Sequence, residues 1–152
     1  MFVNVDWFFL SHRLPIAEAA LQNQIDMTVY TDFTHSKEVN KEQGFKMFQS
    51  PLSRSSKNLH MFLVEFVKVF ILILKQKPNL LHAVTIKPII FLGIVARITE
   101  TPFIAAISGL GPVANNTGAF YKYRFKLVMK IYKFIFKNES ALIICQSNHD
   151  KN

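Results

Sequence analysis

The sequence predicts an α/β domain: a parallel sheet with helices packed on both of its faces. Three observations carry that expectation. Short apolar runs rich in β-branched residues alternate with helix-period segments along all 152 residues. The strand-like runs are apolar throughout instead of alternating, as in strands buried between two helix layers. The prolines punctuate the same elements. Pro15 and Pro88 fall at first helical turns, where a missing N–H costs nothing, and Pro78 and Pro102 stop helices just before strands.

Taken in order, strands are expected at 2–5 (FVNV), 26–31 (DMTVYT), 45–49 (FKMFQ), 80–84 (LLHAV), 103–107 (FIAAI) and 141–145 (ALIIC). Helices are expected between them at 14–23, 58–76, 88–99 and 119–137. Residues 32–44 and 50–57 are polar and aperiodic, so they read as loops. There is no internal repeat. Half of the chain is hydrophobic and 13% is aromatic, enough for one domain with its own core.

Composition narrows the function classes. Met1 leads into a strand-like run, not into a basic region followed by an apolar one, so no secretory signal is read here. A single cysteine, Cys145, excludes an internal disulfide and fits a reducing cytoplasm. Two stretches invite a transmembrane reading and fail it. Residues 59–74 carry Glu65 and Lys68 centrally, at roughly 2.5–3.5 kcal/mol each on insertion scales. Residues 88–96 fall short of the roughly 20 apolar residues a span needs. Both read as helices buried against the sheet.

The net charge of +8 calls for an anionic partner: nucleic acid, a membrane face or a phosphorylated ligand. Its placement discriminates among them. In FYKYRFKLVMKIYKFIFK, Lys122, Lys126, Lys130, Lys133 and Lys137 recur at steps of four and three, one stripe on a helix. Aromatic and aliphatic residues fill most of the remaining circumference, which suits a helix lying in a membrane interface. A buried helix with one solvated lysine edge fits the same pattern. Nucleic acid fits poorly, because no recognised binding motif accompanies the stripe.

Three loop motifs follow strands. Ser11, His12 and Arg13 are expected between the first strand and the first helix, where a helix N-terminus favours anions and an arginine fork suits phosphate. The plainer alternative is that Ser11 caps the helix and Arg13 is solvated. In HAVTIKP, His82 reads as a core histidine, while Thr85 and Lys87 belong to the connecting loop and project toward the same edge. SGLGPVA, with Gly109, Leu110 and Gly111, lets a backbone approach a ligand closely. It satisfies a G-x-G-x-x-A dinucleotide pattern, but it follows the fifth strand and lacks an acid about 20 positions on. It is read as a glycine-rich cleft loop, with no nicotinamide cofactor and no metal site.

Five segments in register carry a resemblance: VNVDWFFLSHRLPIA (3–17), PLSRSSKN (51–58), KPNLLHAVTIKP (77–88), ISGLG (107–111) and IICQSNHD (143–150). Together they resemble the N-terminal domain of family 4 glycosyltransferases, and within it the group acting on polyprenyl-pyrophosphate-linked sugars in bacterial surface-glycan assembly. Asn79 and Ser147 depart from the pattern, as does the polar run PVANNTG. The resemblance implies a single Rossmann-like domain over 1–152, one half of a GT-B architecture. Such a domain receives a lipid-linked acceptor on the inner face of the cytoplasmic membrane. A C-terminal domain, encoded separately or lost, holds the nucleotide-sugar donor, and transfer is retaining and usually metal-free. The six glutamates, at 18, 38, 42, 65, 100 and 139, include no pair eight positions apart, the mark of the donor half, so the 152 residues are expected to be inactive alone. By the same resemblance Ser11, His12, Arg13, Ser53, Arg54, Thr85, Lys87, Gly109, Leu110 and Gly111 line the acceptor cleft. The rival expectation is a non-catalytic, membrane-associated binding module on the same fold.

Overall fold

The computed structural model describes residues 1–34, 46–53, 58–107, 119–137 and 139–145. Its architecture is α/β and Rossmann-like. The strands are β1 (Phe2–Val5), β2 (Thr28–Asp32), β3 (Lys46–Gln49), β4 (Leu81–Val84), β5 (Phe103–Ile107) and β6 (Ala141–Cys145), in the sheet order β3-β2-β1-β4-β5-β6. Each of the four pairings described, β1–β2, β2–β3, β4–β5 and β5–β6, is parallel. The helices are α1 (Asp6–His12), α2 (Leu14–Gln22), α3 (Leu59–Gln76), α4 (Ile86–Thr99) and α5 (Ala119–Ile135). The chain forms two compact units, Met1–Ile71 and Leu72–Asn152.

In the first unit, β1 contributes Phe2, Val3 and Val5 to the core beside Val29 and Tyr30 of β2. Phe2 stacks on Tyr30 at 4.7 Å between ring centroids, and Tyr30 stacks on Phe48 of β3. These cross-strand aromatic pairs fix the register that places Tyr30 opposite both Phe2 and Phe48. The chain enters α1 directly from β1, and this helix is absent from the sequence-based expectation. Its seven residues start at Asp6, whose carboxylate accepts from Trp7 N (2.8 Å), Thr34 N (3.0 Å) and Thr34 Oγ1 (2.6 Å). One buried acid thus satisfies a helix start and ties down the exit of β2.

In the second unit, the four residues of β4 are all buried and so are four of the five in β5, matching the both-face apolar pattern. α4 is also largely enclosed, with eight buried residues from Pro88 to Ala96. It packs on α5 closely enough that a Cβ added at Gly93 would sit 2.6 Å from Ile135 Cγ2. β6, last in the strand order, leaves Leu142, Ile143 and Ile144 exposed.

Two expectations need correction. α3, read as a helix buried against the sheet, is buried on one narrow face only. Glu65, Val69 and Ile73 form its buried stripe, one residue per turn, while eight of its apolar side chains are exposed. Packing on one side takes only about a third of a helix, and here the remaining two thirds are mostly apolar as well. Second, α5 ends at Ile135, so Lys137 lies beyond the helix and not on its stripe.

Candidate functional site

The first-unit residues of interest surround the α1–α2 junction. Ser11 and His12 form the last turn of α1, not a loop, and Arg13 after them is the N-cap of α2, so the three do stand beside a helix N-terminus. The Ser11 hydroxyl donates to Trp7 O at 2.8 Å and lies 2.6 Å from His12 Nδ1. Which of the two atoms donates in the Ser11–His12 contact follows the tautomer of His12. The His12 ring stacks on Phe8 at 4.5 Å, which holds its plane, and both Ser11 and His12 are exposed.

Arg13 is the hinge between the two helices. Its backbone closes α1 through Arg13 N to Phe9 O, and its carbonyl accepts from Ile16 N and Ala17 N at the start of α2. Pro15 falls in that first turn, as the sequence indicated. Arg13 is only 6% exposed, so it is not the solvated arginine of the plainer expectation. Burial pulls its guanidinium below the ordinary arginine value, and its Cζ lies 5.9 Å from the Phe8 ring centroid. A cation is committed to this junction at the cost of desolvation.

The run after β3 is pinned residue by residue. Ser50 N donates to Thr31 O, Leu52 N to Ser50 Oγ, and Ser53 N to Glu65 Oε1 at 2.9 Å. Gln49 adds a side-chain bridge, donating to Asp32 Oδ1 and accepting from Phe33 N. Ser53 is therefore held in place, while Arg54 lies outside the described residues. Asp6 and Glu65, the two acids that anchor these segments, are not singled out as anchors by the sequence, where Glu65 counts only against a membrane span. The signal was present, since each is a lone acid inside an apolar run.

In the second unit, the turn from β4 into α4 holds a positive-φ threonine. Thr85 is the N-cap of α4, not a mid-loop residue, with φ 74° and ψ 161°. This region of conformation is nearly reserved for glycine, and a β-branched residue there is strained by about 1–3 kcal/mol. The conformation is held from both sides: Thr85 N donates to Ala106 O of β5, and Thr85 O accepts from Ile89 N. Its hydroxyl does not cap the helix, and the buried Oγ1 has no hydrogen-bond partner among the described residues. Lys87 stands in the first turn of α4, half-buried, with Nζ 5.7 Å from the Phe91 ring centroid. A helix N-terminus, a hydroxyl and a lysine therefore follow one another along the chain at the carboxyl end of a buried strand, residue types that suit an anionic oxygen. His82, in β4, is buried as a core histidine should be.

Gly109, Leu110 and Gly111 lie outside the described residues. On α5, Lys122, Lys126, Lys130 and Lys133 are all exposed, and Tyr123, Leu127 and Phe134 are exposed beside them. Lys126, Lys130 and Lys133, with Phe125 and Met129, line a shallow hollow of about 230 Å³. Among the described residues no three His, Cys, Asp or Glu side chains gather closely enough to hold a metal ion. No helix of the described residues is long and apolar enough to cross a membrane.

Over residues 1–147 the chain matches the model of a protein family described as glycosyl transferase 4-like. A comparison with curated proteins gave no match.

Proposed function

Because the chain belongs to the glycosyl transferase 4-like family, we propose that these residues act as the acceptor-side lobe of a retaining sugar transferase whose acceptor is lipid-linked and carries a pyrophosphate. The observation that carries the reading is the β4–α4 turn. Strain at a β-branched residue persists only where the surroundings enforce it, and such outliers gather at ligand sites. Here the strained Thr85 sets its hydroxyl and the first turn of α4 at a strand's carboxyl end, beside Lys87.

In this reading the lobe supplies charge and orientation, not a nucleophile. Lys87 offsets a phosphate oxygen as a point charge, and the first-turn N–H groups of α4 add their dipoles. By the resemblance, Arg13 and Arg54 are proposed as cations for phosphate oxygens, and His12 as a hydrogen-bond partner of a sugar hydroxyl. Ser11, Ser53 and the Gly109–Gly111 backbone complete the set taken from the resemblance. The donor is a nucleotide sugar carrying a hexose or N-acetylhexosamine, held mainly by a second domain, and transfer needs no metal. The product enters surface-glycan assembly. The lobe sits on an anionic inner membrane face through Lys122, Lys126, Lys130 and Lys133, each worth roughly 1 kcal/mol near such a surface.

The test is a transfer assay with several nucleotide sugars and a polyprenyl-pyrophosphate-linked sugar. The 152-residue chain alone should give no product, and adding a donor-binding domain should restore transfer. Turnover by the chain alone refutes the division of labour. No restoration by any donor domain favours a non-catalytic binding module.

A further inference from the structure

We propose that the outer face of α3 is a lipid-contacting surface in its own right, an apolar strip that enters the acyl boundary of an anionic bilayer while Lys68 and Lys75 reach the headgroups. The proposal deepens the membrane part of the reading above and rests on it only in taking a bilayer as the occupant; the sugar chemistry does not enter.

At 100° per residue the exposed side chains from Leu63 to Lys75 occupy one arc roughly 140° wide, opposite the buried stripe of Glu65, Val69 and Ile73. Leu63, Val64, Val67, Ile71 and Leu74 fill most of that arc. Each is 40–56% exposed, a contiguous apolar surface of the kind that marks a membrane or protein contact. Lys68 and Lys75, one at each end of a two-turn spacing, lie along one edge of the strip, and both are exposed. That edge lets the lysine stems run along apolar surface while the ammonium groups stay in the headgroup layer. Because the helix cannot cross a bilayer, lying in the interface plane is the arrangement left to it.

Charge selects the occupant. The one acid of α3, Glu65, is turned inward and 6% exposed, bonded to Ser53 N. Every charged group on the outer arc is cationic, so the face complements an anionic lipid surface. A second copy of the chain is the competing occupant, because Val64, Val67, Ile71 and Leu74 follow steps of three and four that suit helix pairing. A second copy, however, offers Lys68 and Lys75 no acid from its own outer arc.

The experiment uses the whole chain with phosphatidylcholine vesicles, with and without phosphatidylglycerol. Val67→Asp/Ile71→Asp replaces two exposed residues and should lower partitioning at least about tenfold. Lys68→Gln/Lys75→Gln should lower it roughly 25-fold on anionic vesicles and leave it unchanged on neutral ones, at about fivefold per lysine. Depth is read from Ile71→Trp in a Trp7→Phe background: emission shifts to the blue, and brominated acyl chains quench it. This readout also decides the matter if the aspartate pair unfolds the chain. Binding indifferent to both double variants, with the emission of the Ile71→Trp variant unquenched, overturns the proposal and leaves α5 as the membrane contact. Failure of the wild type to bind anionic vesicles overturns it too, as does a dimer abolished by the aspartate pair without quenching. With a donor-binding domain added, sugar transfer to a short-chain, water-soluble acceptor should survive Val67→Asp/Ile71→Asp, so loss of the sugar-transfer reading shows separately.

Discussion

The backbone N–H of Ser53 donates to Oε1 of Glu65 across 2.9 Å, tying the run that follows β3 to the inner face of α3. An ionisable side chain buried in so apolar a helix is costly unless it is bonded, and this bond uses it to position a loop. Glu65→Ala should therefore destabilise the fold by roughly 1–3 kcal/mol, the cost of leaving a buried N–H without its acceptor. Glu65→Gln keeps an oxygen at the same place and should cost less than half as much. Denaturant unfolding of the two variants checks this; equal losses would mean that the charge matters and the acceptor does not.

Gly93 and Ile135 make a second tight relationship. An added Cβ would meet three Ile135 side-chain atoms at 2.6–3.0 Å. Alanine normally stabilises a helix interior relative to glycine by about 1 kcal/mol, but overpacking costs about 1–3 kcal/mol. Gly93→Ala should thus lower stability by up to about 2 kcal/mol, a drop of up to several degrees in Tm. Adding Ile135→Val should recover part of the loss in a double-mutant cycle.

Thr85→Gly should raise stability by about 1 kcal/mol, since glycine adopts φ 74° without the strain that threonine bears. The same change removes the hydroxyl proposed to meet a phosphate oxygen, so pyrophosphate binding should weaken as the melting temperature rises. Calorimetric melting and pyrophosphate titration on one sample give both readings.

Tyr132 predicts a pH effect. Burial raises its phenol above the ordinary value of 10.0, and its hydroxyl has no partner among the described residues. The folded state therefore binds this proton more tightly than the unfolded state does. The stability involved is fully present below pH 10 and is lost as pH rises beyond it. Tyr132→Phe should be neutral or stabilising by up to about 1 kcal/mol at pH 7, and it should flatten the loss of stability between pH 10 and 11. Urea midpoints across that range, compared with the wild type, measure it.

Much of the fold was legible because it follows from pattern. The apolar runs at 103–107 and 141–145 coincide with β5 and β6, and Pro15 marks the first turn of α2. The misses have local causes. DWFFLSH reads as a strand exit, and only the Asp6 carboxylate bonding Trp7 and Thr34 shows why a helix starts there. Nothing in the sequence distinguishes the inner from the outer face of α3, since both are apolar; Glu65, read as a penalty against a membrane span, is the residue that marks the inner one. The strain at Thr85 is likewise invisible in sequence, because threonine is an ordinary residue before a helix and only its dihedral angles set it apart.

The central claim is that the β4–α4 turn receives the diphosphate of the acceptor. It is tested most directly by amide chemical-shift mapping of the 152-residue chain with a short-chain polyprenyl diphosphate sugar. The account predicts saturable shifts at the Ile86 and Lys87 amides, weakened about tenfold in Lys87→Gln. Shifts confined to other elements, or the same response at that turn to a neutral sugar, would contradict it.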